Sequence, residues 1–159
     1  KPFNSNELKL RIRNQMELRI MRNNLFRKNE ELNTKLKQHM AVRKTAVSGD
    51  IKNRLESICE FIKEHCTDNL NRENLASALD MNPDTFSRMF NQYTGKTLPD
   101  YISELRIEEV KKRLTMTDDS ITRICFDTGF DSIRTFNRAF KKFTGKTPGE
   151  YRDDEIQTL

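Results

Sequence analysis

Tryptophan is absent from this chain, and cysteine, histidine, glycine and proline are scarce: three Cys, two His, five Gly and four Pro in 159 residues. Each shortage excludes something. Cys59, Cys66 and Cys125 are scattered, with only His39 and His65 beside them, so no zinc-ligand spacing can be assembled and neither metal nor cofactor is expected. Cys59 and Cys66 lie seven residues apart on one helical stretch and read as core thiols in reducing surroundings. So little Gly and Pro argues against a turn-rich sheet protein and for an all-α one. No run of eighteen apolar residues is present, so no segment is expected to contact or cross a membrane, and no basic-plus-apolar leader points to secretion. No nucleophile stands near a base and no paired carboxylates appear, so no enzyme is expected.

Positive charge is present but poorly distributed for a simple electrostatic reading. Residues 1–47 hold twelve Lys/Arg against four Asp/Glu, residues 48–118 ten against thirteen, and residues 119–159 seven against seven. The net charge of +5 is therefore an N-terminal excess. Phosphate attraction is screened over roughly 8–10 Å, so any contact with nucleic acid in the last hundred residues must rest on locally placed side chains.

Residues 4–46 contain neither Gly nor Pro, and Leu8, Ile12, Leu18, Met21, Leu25, Leu32 and Leu36 recur at helical spacing, which predicts one long helix. Leu18, Leu25 and Leu32, with Met21 between them, match the seam of a short parallel coiled coil and are candidate dimerisation residues. Lys28 and Lys35 fall on the alternate seam positions and weaken it. Ser48-Gly49 predicts a hinge, dividing a connector segment, 1–47, from a helical domain, 48–159. Ile51, Leu55, Ile58, Cys59 and Ile62 then mark an amphipathic helix, and shorter helices follow.

Comparing the chain with itself gives the strongest signal. Phe86-Ser87-Arg88-Met89-Phe90-Asn91-Gln92-Tyr93-Thr94-Gly95-Lys96-Thr97 recurs as Phe136-Asn137-Arg138-Ala139-Phe140-Lys141-Lys142-Phe143-Thr144-Gly145-Lys146-Thr147, every position offset by fifty. Tyr101 and Tyr151 continue that register, while Leu75/Ile124, Ala76/Cys125 and Met81/Phe130 are offset by forty-nine, so the second copy has one residue more in its turn. Each copy reads as a short helix, a break at Met81-Asn82-Pro83 or at 129–132, and a second helix capped by Asn82 in one copy and by Asp131 or Ser132 in the other. That is a helix-turn-helix, placed at about 71–94 and again at about 120–144, with a linker helix at about 98–115. Thr-Gly-Lys-Thr is no phosphate loop, because Phe90 and Phe140 stand where the first glycine belongs; Gly95 and Gly145 read as helix stops. Phe86/Phe90 and Phe136/Phe140 should point inward. Asp84, Thr85, Ser87, Arg88 and Asn91, and then Ile133, Arg134, Thr135, Asn137 and Arg138, should point outward, where Arg and Asn suit paired hydrogen bonds to base edges. Lys96, Lys141, Lys142, Lys146 and the cap at Ser120 are candidate phosphate contacts.

These residues resemble the AraC/XylS-type transcription regulators over about 51–152. The resemblance rests on Leu75-Ala76, Phe86–Phe90, Gly95, Tyr101, Arg106-Ile107, Leu114, Ile121, Ile124, Gly129-Phe130, 136–142, Gly145, Thr147-Pro148 and Tyr151-Arg152. It implies two helix-turn-helix units bridged by a long helix, each placing a recognition helix in successive major-groove segments of double-stranded DNA. Cys125 and Val110 stand where the family usually has Ala, and Arg134-Thr135 replaces a frequent Ser-Tyr; these departures touch core size and target sequence rather than fold. Lys1-Pro2-Phe3 and the helix after it resemble the end of a response-regulator receiver domain, covering about 1–20. That implies a cytoplasmic fragment of a larger two-component protein, whose parent can carry a membrane anchor elsewhere, with a second copy and RNA polymerase as candidate partners. The alternative is a protein-docking adaptor that uses the basic helix without touching DNA.

Overall fold

The computed structural model describes residues 5–44 and 51–157. They form eight helices and no strand: α1 Ser5–Lys44, α2 Ile51–Glu64, α3 Arg72–Ala78, α4 Pro83–Thr94, α5 Leu98–Met116, α6 Ile121–Asp127, α7 Ile133–Thr144 and α8 Pro148–Gln157. The expected hinge at 45–50 and the receiver-like Lys1-Pro2-Phe3 lie outside the described residues.

Two hydrophobic cores organise the chain. The first joins Leu55, Ile58, Phe61 and Ile62 of α2 to Leu75, Ala76 and Leu79, to Phe86 and Phe90 of α4, and to Leu98 and Ile102 of α5. The second joins Ile107, Val110 and Leu114 of α5 to Ile124, Cys125, Phe130, Phe136 and Phe140. Helix α5 thus serves both. At about 100° per residue, Leu98 and Ile102 fall on one side of it and Ile107, Val110 and Leu114 on nearly the opposite side. One helix is therefore clamped at its start by the first core and at its end by the second.

The repeat is kept in detail. All four of Phe86, Phe90, Phe136 and Phe140 are fully buried. Tyr101 stands edge-on to Phe90 at 5.4 Å, and Tyr151 to Phe140 at 5.5 Å. Asn82 accepts from the Thr85 amide at 2.8 Å, and Ser132 rather than Asp131 caps α7, accepting from the Thr135 amide at 3.2 Å. The extra residue of the second turn is therefore Asp131, between Phe130 and the cap. Gly95 and Gly145 end α4 and α7 in the left-handed region, at φ 71° and 78°. Thr97 and Thr147 then cap the next helix by accepting from the amides of Asp100 and Glu150. Thr-Gly-Lys-Thr is thus a stop followed by a start, which explains its recurrence without any nucleotide.

A left-handed residue also bends each helix-turn-helix: Asp80 at φ 55° in the first and Gly129 at φ 88° in the second. The two turns are anchored differently. Arg54 of α2 donates to the Leu79 carbonyl at 2.6 Å. The second turn lies against the first half itself, because a Cβ on Gly129 would stand 2.5 Å from the Thr67 carbonyl oxygen and 3.0 Å from the Arg106 guanidinium carbon. Arg106 donates to the carbonyls of Cys66 at 2.6 Å and Asp68 at 2.9 Å, and lies over the Phe130 ring at 5.6 Å. Burial draws its pKa below the usual guanidinium range, and the nearby Asp131 carboxylate opposes that shift.

The end of α1 belongs to the first core. Leu32, Leu36 and Met40 are buried there, and α1 packs on α2 and α3. Leu32 is therefore not available to the coiled-coil seam expected of it, because its side chain already covers the chain's own core. Leu18, Met21 and Leu25, on the same face further up the helix, are exposed. The packed unit reaches back into α1 past the expected boundary at 48.

Two substitutions test this arrangement by chemical denaturation. Gly145→Ala meets no atom within 4 Å and should cost about 1–2 kcal/mol for its left-handed backbone alone. Gly129→Ala should cost clearly more, because the halves must also part to admit the methyl group. Arg106→Ala strands two carbonyls and should destabilise by about 1–3 kcal/mol; an unchanged midpoint would contradict the bridging role.

Candidate nucleic-acid interface

The recognition helices α4 and α7 each bury one phenylalanine pair, and their remaining positions are decided by helical geometry. With Phe86 and Phe90 inward, Asp84, Arg88 and Asn91 are exposed, while Thr85 and Ser87 are half-buried. The Ser87 hydroxyl donates to the Pro83 carbonyl at 2.9 Å, so it serves its own helix in this conformation. In α7, Arg134, Thr135, Asn137, Arg138, Lys141 and Lys142 are exposed. Ile133 is half-buried against the second core, leaving only part of its side chain for a base contact.

Arg88, Arg134 and Arg138 make no ion pair with any described residue, although each has carboxylates within the same domain. Among the described residues Asp84 pairs with Arg72 at 3.6 Å, and that guanidinium also pairs with Glu73 at 3.2 Å. The outward faces of both helices are therefore presented to solvent, as base-contacting side chains must be.

The lysines differ. Lys96 pairs with Glu104, Lys146 with Asp154 at 2.7 Å, and Lys142 with Asp100 at 2.6 Å. The Lys142 ammonium holds the Asp100 carboxyl below its usual range, and Asp154 holds Lys146 above its own. The lysines and Asp154 are exposed and Asp100 and Glu104 are half-exposed, so the pairs are weak and a phosphate can exchange for the carboxylate. Lys141 is exposed, and Ser120 caps α6 by accepting from the Arg123 amide at 3.2 Å. Asn137, Arg138, Lys141 and Lys142 face the start of α8 across an open groove of about 610 Å³. This concave surface, lined in part by three cationic side chains, belongs to the second half.

Arg106 and Asp100 have structural parts in this interface that no local pattern announced. Arg106 fixes how the two halves sit, and Asp100 joins the start of α5 to the second recognition helix. Their partners lie 38 to 42 residues away, beyond any helical or turn register. The thiols take no part: Cys59 and Cys125 are buried, Cys66 is half-buried, and burial pushes all three pKa values up. Burial likewise pushes the Tyr101 phenol up to about 12, so it stays neutral beneath α4. No group of three or more potential metal ligands occurs among the described residues, and none of the described helices is long and apolar enough to cross a membrane.

Comparison with known proteins agrees with this geometry. A family model described as a helix-turn-helix domain matches residues 75–154. A curated HTH-type transcriptional regulator of Staphylococcus aureus, itself uncharacterised, is 33% identical over 101 residues, which is 64% of this chain but 14% of that protein. The chain thus spans about a seventh of such relatives. Among solved structures, the C-terminal domain of AraT, a response regulator from Geobacillus stearothermophilus, matches with TM-score 0.58 and 28% identity, over 64% of this chain and 84% of that one. The C-terminal domain of the two-component response regulator yesN from Fusobacterium nucleatum matches with TM-score 0.57 and 30% identity, over 63% and 98%. Two tandem helix-turn-helix units on one shared helix, with both recognition faces open to solvent, place this chain in the AraC-type family of helix-turn-helix DNA-binding transcription regulators.

Proposed function

We propose that this chain is the sequence-reading output segment of a cytoplasmic two-component regulator. The observation that carries the reading is the pair of outward polar faces on α4 and α7, held at a separation set by α5. Nineteen residues of α5 span about 28 Å, of the same order as the roughly 34–36 Å between major-groove segments one DNA turn apart. Arg88, Asn91, Arg134, Asn137 and Arg138 then reach base edges, while Lys96, Lys141, Lys142, Lys146 and the Ser120 end of α6 meet phosphates.

The two-component context is supported by the response regulators among the structural neighbours and by the receiver-like start of the chain. In this reading α1 relays the state of an upstream phosphorylated domain and pairs with a second copy through Leu18, Met21 and Leu25, now a shorter seam without Leu32. Two modules on repeated half-sites gain affinity through effective concentration. RNA polymerase is the partner such a bound dimer would meet. A docking adaptor using the same exposed face of α1 is the competing reading, and it requires no duplex binding at all.

Two substitutions in the whole chain distinguish the roles. Arg138→Ala should weaken binding to a selected duplex by about 1–3 kcal/mol and relax sequence preference, whereas Lys142→Ala should weaken selected and random duplexes alike. Equal losses on both duplexes for both variants would remove the assignment. Absence of salt-dependent duplex binding would favour the adaptor.

A further inference from the structure

The two recognition helices are copies with a fixed offset of fifty, so their outward residues can be matched one by one. Thr85 matches Thr135 and Arg88 matches Arg138, but Asp84 matches Arg134, Asn91 matches Lys141 and Gln92 matches Lys142. One position has reversed its charge and two have changed from neutral to cationic. Helix α7 carries four cations and no carboxylate, while α4 carries one of each.

Its own helix gives Asp84 one role, since its carboxylate lies in the first turn at the positive end of the α4 dipole, but α7 has no acid in its first turn, so that role does not account for the reversal of charge. The capping role belongs to Asn82, whose side chain accepts from the Thr85 amide. Its carboxylate is 96% exposed, and its ion pair with Arg72 is long and shared with Glu73. The residue lies in the first turn of a recognition helix, the part that approaches base edges in a helix-turn-helix. A carboxylate brought between two phosphate strands is repelled unless a donor meets it. In the major groove cytosine offers its N4 amino group as a lone donor, whereas the adenine amino group sits beside the N7 acceptor and guanine offers acceptors alone. Arg134, at the same place in α7, is suited to the opposite base.

We infer that Asp84 and Arg134 divide the work between the readers: α4 selects, admitting cytosine opposite Asp84, and α7 holds, taking guanine opposite Arg134 and gripping phosphates with its other cations. This rests on the proposed duplex binding. It assigns Asp84 a discriminating role and gives the two half-motifs different bases at equivalent positions.

The test is selection from a random duplex pool by the whole chain, by Asp84→Asn and by Asp84→Arg, with affinity for random duplex followed against salt. The unaltered chain should return a cytosine preference in one half-motif and a guanine preference at the matching place in the other. Asp84→Asn should lower the cytosine discrimination about tenfold and tighten binding to random duplex severalfold. Asp84→Arg should turn that preference towards guanine and steepen the salt dependence by about 0.9 in the logarithmic slope if the new cation meets a phosphate. Selection of an unchanged motif by Asp84→Asn, with the thermal midpoint preserved, overturns the inference while leaving duplex binding intact. Failure of the unaltered chain to select any duplex overturns the proposed function and this inference with it.

Discussion

The arrangement depends on a single constraint: both helix-turn-helix units are built on opposite faces of one helix, α5, and Arg106 locks them at the point where those faces change over. The guanidinium donates to two carbonyls that precede the first unit and lies over Phe130 in the turn of the second. A charged group partly withdrawn from water is costly unless its donors are met, and here both partners are backbone carbonyls that no side-chain substitution can remove. Gly129 completes the lock, since only a residue without a Cβ lets the second turn lie against the Thr67 carbonyl. The separation of the two units is thereby set by contacts within the fold.

Charge is organised around that frame. Several cations facing outward from the second half are neutralised by acids of the same chain, among them Lys142 by Asp100 and Lys146 by Asp154. These solvent-facing pairs contribute little to stability, but they screen individual lysines in a domain that carries no excess of positive charge. On the proposed duplex, phosphates would have to displace these carboxylates. Arg88, Arg134 and Arg138, which pair with no acid among the described residues, are the side chains that the proposed function assigns to base edges.

How much of this was legible in the residues follows the range of each interaction. The repeat, the inward Phe pairs, the Asn82 cap and the Gly95 and Gly145 stops are local, set within one or two helical turns, and the sequence pattern located them. It left the second cap open between Asp131 and Ser132, because both residue types accept hydrogen bonds and only the backbone path decides. Heptad spacing points Leu32 to a dimer seam because it records an apolar face and not its partner; the first core takes that face from Leu32 onward. The Arg106 bridge, the Gly129 contact and the Asp100–Lys142 pair join residues about forty to sixty apart, and no periodicity reports them.

The most direct measurement is the affinity of the whole chain for duplexes carrying both selected half-motifs at their natural separation and with about five base pairs inserted between them. Five base pairs turn one motif about half a helical turn away from the other. If α5 and Arg106 hold the readers rigidly, the insertion should reduce affinity to nearly that of a duplex with one motif alone. Equal affinity for both duplexes would contradict the account, since it would mean that the two units bind without a fixed spacing or that one of them does not touch DNA.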